Sequence, residues 1–317
     1  MNIRTKSHIK NIGVTIFAIF SMNQTAFAGG IEETKDALSS IGHVAQIQVD
    51  GNVTLRYLKA GQGEPLILLH TIRTQLDYFQ DAIPALAKNH TVYALDLPGH
   101  GYSSIDTTAT YDEPYMRKAV VSFIEKEDLK KVTLVGESIG GVLALSVAST
   151  VPERISKVVS SNPYDYDTRY ADGVRRGNFF ANFMLANYSV PVHGAIMAKL
   201  ENKLFLGMVL SGGFANKSGM PDDLLGTINS AGYREGYRYV ERNVFENWES
   251  WGKARNLYSG VKAPVTLVYG DHDWSTLQER ERTVKELGGV SIITVKNSGH
   301  FGFVDNPEKM IDIVLQK

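Results

Sequence analysis

The sequence contains no cysteine. Disulfides, a thiolate nucleophile, thiolate metal sites and an acylated cysteine are therefore excluded, and the fold rests on its core alone. An excess of one charge is also missing, because 33 basic against 34 acidic side chains leave a formal net charge of −1. Without a basic surplus the chain has nothing to draw it to a phosphate backbone, so nucleic acid is not an expected partner. No apolar run reaches the roughly 20 residues that a membrane-spanning helix needs. Internal repeats and low-complexity tracts are absent. The histidines show no paired ligand spacing, and Gly212-Gly213 and Gly288-Gly289 lack the strand and helix setting of a phosphate loop, so neither a metal nor a nucleotide cofactor is expected.

What is present begins with a distinct N-terminus. Arg4, Lys6 and Lys10 precede an uncharged run, Ile12 to Phe20, that leads to Ala26-Phe-Ala28. Cations, then apolar residues, then small residues is the order of a cleavable export signal. The expectation is cleavage after Ala28, export to a periplasm or medium, and no stable membrane insertion afterwards.

Beyond residue 28, His43–Asp50 and Val53–Leu58 alternate apolar and polar residues around Asp50-Gly51-Asn52, which predicts an antiparallel hairpin at one sheet edge. Leu66–His70, Thr91–Leu95, Lys131–Val135 and Ile155–Val159 are instead nearly continuous apolar runs, as in strands buried on both faces. Helical stretches at Leu76–Ala87 and Tyr111–Glu127 separate them. This alternation predicts an α/β protein with a mostly parallel, doubly wound sheet. It stops near Asn162-Pro163 and resumes only at Ala263–Tyr269. A gap of this length is too long for a plain loop. The expected layout is a core of 29–162 and 261–317 with a helical lid inserted at 163–260. Helices are expected near Phe179–Leu185, His193–Leu204 and Tyr233–Trp248 of that insertion. A strand at Val290–Val295 and a helix from Pro307, capped by Asp305 or Asn306, close the core.

The sharpest chemical signal is Gly136-Glu-Ser138-Ile-Gly140, placed between an apolar strand and an apolar helix. Such a turn forces its serine into a strained conformation and presents the hydroxyl at the carboxyl edge of the sheet. The helix that starts there offers free N–H groups and a positive dipole end to an oxyanion. Serine needs a base to take its proton, and the base needs a carboxylate to fix its tautomer. Among eight histidines, His300 stands in a glycine-bearing turn after the last strand. The turn after the preceding strand carries Asp271 and Asp273. Asp273 is favoured by its distance past Gly270, which leaves Asp271 as a turn-former.

The order Ser138, Asp273, His300 and the turns around them resemble the α/β-hydrolase superfamily of serine esterases, lipases and related enzymes. Asp96-Leu-Pro98-Gly99-His-Gly101 looks like a structural turn of that superfamily. Gly270-Asp-His-Asp273 and Gly299-His300-Phe are similar to its acid turn and histidine loop. The resemblance implies that backbone N–H groups of Ile72 and Ile139 form the oxyanion hole. Where the superfamily usually has His-Gly, however, this sequence has His70-Thr71. A β-branched residue avoids positive φ, which puts the geometry of that loop in question. Arg73 and Gln75 follow, either facing the pocket to bind an acid or carbonyl group or standing solvated at a loop tip. Phe179, Phe180, Phe183, Met184, Trp248 and Trp251 supply an apolar interior to the lid. Of the aromatic residues, Phe179, Trp248 and Trp274 are candidates, with Arg73, for substrate contact. Arg169, Arg175 and Arg176 read as a solvated face.

The resulting expectation is a cofactor-free serine hydrolase that cleaves an ester-like bond of a small or medium, largely apolar substrate through an acyl-enzyme. Two alternatives stay open. The same triad serves carbon–carbon bond or lactone hydrolysis or cofactor-free peroxidation, and a hydrolase scaffold can also serve as a non-catalytic binding protein.

Overall fold

The apolar runs of the sequence assemble into one eight-stranded sheet in the computed structural model. That structure describes residues 38–316 apart from 187–189, 191, 193, 195, 197–200 and 217–218. The expected leader and Ala28 lie outside the described residues. β1 (His43–Asp50) and β2 (Val53–Ala60) form the antiparallel hairpin, with β1 at the sheet edge. Next come β3 (Glu64–Leu69), β4 (His90–Leu95), β5 (Val132–Glu137), β6 (Ile155–Ser161), β7 (Val265–Gly270) and β8 (Ile292–Val295). Across the sheet the order is β1-β2-β4-β3-β5-β6-β7-β8, and only β2 runs against its neighbours. The parallel arrangement gathers the carboxyl ends of β3, β5, β6, β7 and β8 at one edge, where ligand sites of open α/β sheets form.

Two helices on the sheet faces follow from local chemistry. α1 (Glu113–Lys126) begins where the Asp112 side chain accepts from the Tyr115 N–H and Pro114 occupies the first turn. α2 (Ile139–Thr150) is buried at every residue from Ile139 to Ala148. Its lack of a polar face is explained by its position, packed on β3, β5 and β6 and covered by the segment Ala254–Gly260. The expected helix at Leu76–Ala87 does not form as one piece. It divides into a tight turn at Leu76–Phe79 and a single helical turn at Ile83–Leu86. Pro84 has no N–H to give the Gln80 carbonyl, so a helix running through it would lose a bond and meet the ring.

The segment between β6 and β7 is helical, comprising α3 (Asp172–Gly177), α4 (Phe179–Leu185), α5 (Lys203–Leu210), α6 (Asp222–Ala231), α7 (Tyr237–Glu246) and α8 (Trp248–Lys253). α4 has the expected bounds. The helix expected over His193–Leu204 lies partly outside the described residues, and its C-terminal end is corrected. Glu201 and Asn202 are not helical, and Asn202 caps α5 through the Phe205 N–H at 3.2 Å. The helix expected over Tyr233–Trp248 is shorter, because Gly236 at φ +81° starts α7 and Asn247 separates it from α8. The core closes with α9 (Leu277–Glu286), β8 and α10 (Pro307–Leu315), for which Asn306 is the cap.

Candidate active site

β5 delivers Ser138 to the sheet edge on a turn that only glycine can flank. A Cβ on Gly136 would meet the Gly140 carbonyl oxygen at 1.9 Å, and one on Gly140 would meet the Leu69 carbonyl oxygen at 2.0 Å. Ser138 itself adopts φ 60° and ψ −121°, a region that costs a side-chain-bearing residue about 1–3 kcal/mol. Three backbone bonds hold it there, since Ser138 N–H donates to the Ser161 carbonyl, and Val142 and Tyr164 N–H donate to the Ser138 carbonyl.

Ser138 Oγ lies 2.8 Å from His300 Nε2, and His300 Nδ1 lies 2.5 Å from Asp273 Oδ1. The second oxygen of Asp273 accepts the Ser275 N–H at 2.9 Å and the Ser275 hydroxyl. Burial alone would raise the Asp273 pKa, but the facing His300 and the Ser275 bonds outweigh it and hold the carboxyl below its ordinary value. An ionised acid fixes the Nδ1–H tautomer, which turns the Nε2 lone pair toward Ser138. Asp271 is set apart, half-exposed, pairing with His272 and accepting the Ser298 N–H, as a turn-former does. The histidine loop is anchored by His300 N–H to the Gly213 carbonyl at 2.7 Å and by Asp305, which accepts the Gly299 N–H. Trp274 stacks on the imidazole, with ring centroids 3.9 Å apart at 17°.

The loop after β3 turns out differently from the sequence expectation. Thr71 is not in the left-handed region, and the strained residue is Arg73 at φ 64°. Replacing glycine by threonine therefore imposes no strain at position 71. The Thr71 carbonyl is held by His70 Nδ1 at 2.7 Å, by the Thr74 hydroxyl at 2.8 Å and by the Thr74 N–H. A trans peptide directs its N–H opposite to its C=O, so these bonds aim the Ile72 N–H away from them. His70 Nε2 accepts the Leu97 N–H, and burial pushes this imidazole's pKa down to about 4, which keeps it neutral and in one tautomer. Ile72 and Ile139 line one small cleft, together with Tyr164 and Trp248.

A cavity of about 70 Å³ adjoins this loop, bounded by Thr71, Ile72, Arg73, Trp274 and Phe301 from the core and by side chains of α4, α5 and α7. Neither Ser138 nor His300 exposes any surface. Of the four candidates for substrate contact, Arg73 and Trp274 line the cavity and Trp248 lines the smaller cleft. Phe179 does not, and this assignment is corrected. It is 85% exposed as the first residue of α4, where its position on the outer face turns it to solvent. The solvated option for Arg73 is corrected too, since its side chain is buried and paired with Glu201 and Glu241. Gln75 is buried as well and donates to Asp77, not to the cavity. Arg169 and Arg176 pair with Asp172, and Arg176 also pairs with Glu279, so that face is ionic rather than merely solvated.

A model of the α/β hydrolase fold family matches residues 64–307. The chain belongs to this family. The chain is 25% identical over 267 residues to an abhydrolase domain-containing protein, abhd-5.2, of Caenorhabditis elegans, a match covering 79% of this chain and 58% of that relative. It is 22% identical over 273 residues to an (E)-2-((N-methylformamido)methylene)succinate hydrolase of Acinetobacter baylyi, covering 83% of this chain and 94% of the relative. Among solved structures it is similar to carboxylesterase CesB of Bacillus subtilis, with a TM-score of 0.69, 18% identity, and coverage of 92% of this chain and 97% of the other.

Several residues around this site are not legible in the sequence. Asn162 joins the acid turn to the histidine loop, accepting the Gly270 N–H and donating to the Gly299 and His300 carbonyls. Its place before Pro163 reads only as the end of a strand. Glu137 is fully buried beside Ser138, where it accepts from the Tyr78 hydroxyl, the Ser161 hydroxyl and the Gly302 N–H. Burial pushes its pKa up to about 7 despite these bonds. An acid inside an otherwise apolar strand was the available signal. Ser275 could have been found from the Asp-x-Ser spacing, which favours a bond from the aspartate to the backbone two residues on.

Proposed function

We propose that the chain is a serine hydrolase that cleaves a carboxylic ester through an acyl-enzyme. The observation that carries this reading is the continuous chain from Ser138 Oγ through His300 to an ionised Asp273, beside a cleft lined by Ile72 and Ile139. In the first half-reaction His300 Nε2 takes the Ser138 proton as Oγ bonds to the ester carbonyl carbon. The N–H groups of Ile72 and Ile139 hold the resulting oxyanion. The C–O bond then breaks, and the proton on Nε2 leaves with the alcohol. Water repeats the sequence on the acyl-enzyme, releasing the acid and restoring Ser138. The insertion acts as a lid, enclosing a small or medium, largely apolar substrate away from bulk solvent. For the N-terminus, the residue order up to Ala28 supports export, and sequencing the exported chain should find Gly29 first.

The test is hydrolysis of short and medium p-nitrophenyl esters by the chain and by Ser138→Ala. Turnover should fall at least about 10⁴-fold in the variant, and a serine-directed phosphonate should attach to Ser138 alone. A folded chain with neither turnover nor adduct overturns the proposal.

A further inference from the structure

Among the described residues, charge on the lining of the cavity beside Ile72 is confined to one place. Arg73, Glu201 and Glu241 contribute the charged side chains of its lining, and all three are largely buried, with 7%, 18% and 17% of their side-chain surfaces exposed. The Arg73 guanidinium lies 5.0 Å above the Tyr237 ring and is seated against Gly232, where a Cβ would come within 2.5 Å of Nη1. Its Nη2 donates to Glu201, and its Nε lies 3.2 Å from Glu241 Oε1. Among the described residues of the lining, one cation against two carboxylates gives a formal charge of −1. Glu241 Oε2 is buried and has no hydrogen-bond partner among the described residues.

We propose that this cluster is a charge filter, in which Glu241 and Glu201 determine specificity by admitting substrates that are neutral or cationic on this side and excluding those with a free carboxylate. Arg73 alone would be an anion receptor. Held between two glutamates, it is already compensated, and a third carboxylate would enter a poorly screened, net negative pocket. The unpartnered oxygen of Glu241 calls for a donor instead. A hydroxyl or amino group on the substrate would satisfy it, and a site built around such a bond rejects analogues that cannot make it. The filter deepens the ester-hydrolase reading by stating the substrate class, but its charge argument does not depend on which bond is cut.

Binding of hexylamine, hexanol and hexanoate to the full chain, followed by nuclear magnetic resonance titration, separates the two readings because it needs no turnover. Hexanoate should bind at least about tenfold more weakly than the other two. Glu241→Gln and Glu201→Gln should each narrow that gap by about tenfold, and the double variant, with Arg73 uncompensated, should prefer hexanoate. Wild-type hexanoate binding as tight as that of hexanol overturns the filter and makes Arg73 an anion receptor, whether or not the variants fold. An order unchanged across folded variants also overturns it. Loss of ester turnover with the expected binding order would refute the ester reading and leave the filter standing.

Discussion

Asp273 and Asp271 sit two residues apart in one turn, yet Asp273 bonds the His300 imidazole and Asp271 bonds that of His272. Under the proposed mechanism, Asp273→Asn keeps the shape but offers His300 the wrong partner, and kcat should fall by about 10³–10⁴. Asp271→Asn should stay within about twofold of wild type, so esterase assays on both variants check the assignment. Glu137 permits a different test. Its pKa in the fold, about 7, lies above the ordinary 4.5 because burial disfavours the charged form. Its contribution to stability is therefore full below pH 4.5 and is lost as pH rises through about 7. The loss is about 3 kcal/mol. Glu137→Gln cannot ionise and escapes it. Between pH 5 and pH 8, urea unfolding should shift in favour of the variant relative to wild type by that order. A constant offset between the two proteins would contradict the assignment.

Elements were legible where one rule governed them. The hairpin, the parallel strands, α4 and the start of α10 follow from periodicity and turn chemistry, and the nucleophile turn follows from its glycines. Legibility failed where a single residue overrides the pattern, as Pro84 does to the helix expected over Leu76–Ala87 and Gly236 to the start of α7. It also failed where function depends on contacts between elements distant in sequence. Asn162 reaches 137 residues ahead to Gly299, and Arg73 reaches 128 residues ahead to Glu201, and no local pattern encodes either bond. The strand-to-helix turn offers a sharp prediction at this scale. Gly140→Ala adds a methyl group 2.0 Å from the Leu69 carbonyl oxygen, which is backbone and cannot swing aside. The variant should lose about 3 kcal/mol or more, read as a fall in melting temperature or as failure to accumulate. A variant as stable as wild type would mean that the start of α2 can move away from the end of β3 there.

At the scale of the whole molecule, the sheet edge and the insertion together leave Ser138 and His300 with no exposed surface. If the insertion is the proposed lid, a reagent must wait for it to move. The labelling rate of Ser138 by phosphonates should therefore level off as reagent concentration rises, at the same ceiling for short and long alkyl chains. A rate that climbs without limit, or a ceiling that depends on the reagent, would show that access is not the slow step. Under the proposed acyl-enzyme mechanism, the same burial bears on the fate of the attached acyl group. The cavity beside Ile72 is about 70 Å³, room for several water molecules. Under the proposed mechanism few water molecules would stand beside the acyl group at one time. Under that mechanism an alcohol retained in the same small space would compete with water for the acyl group, so transfer to a second alcohol is the side reaction that the proposal predicts.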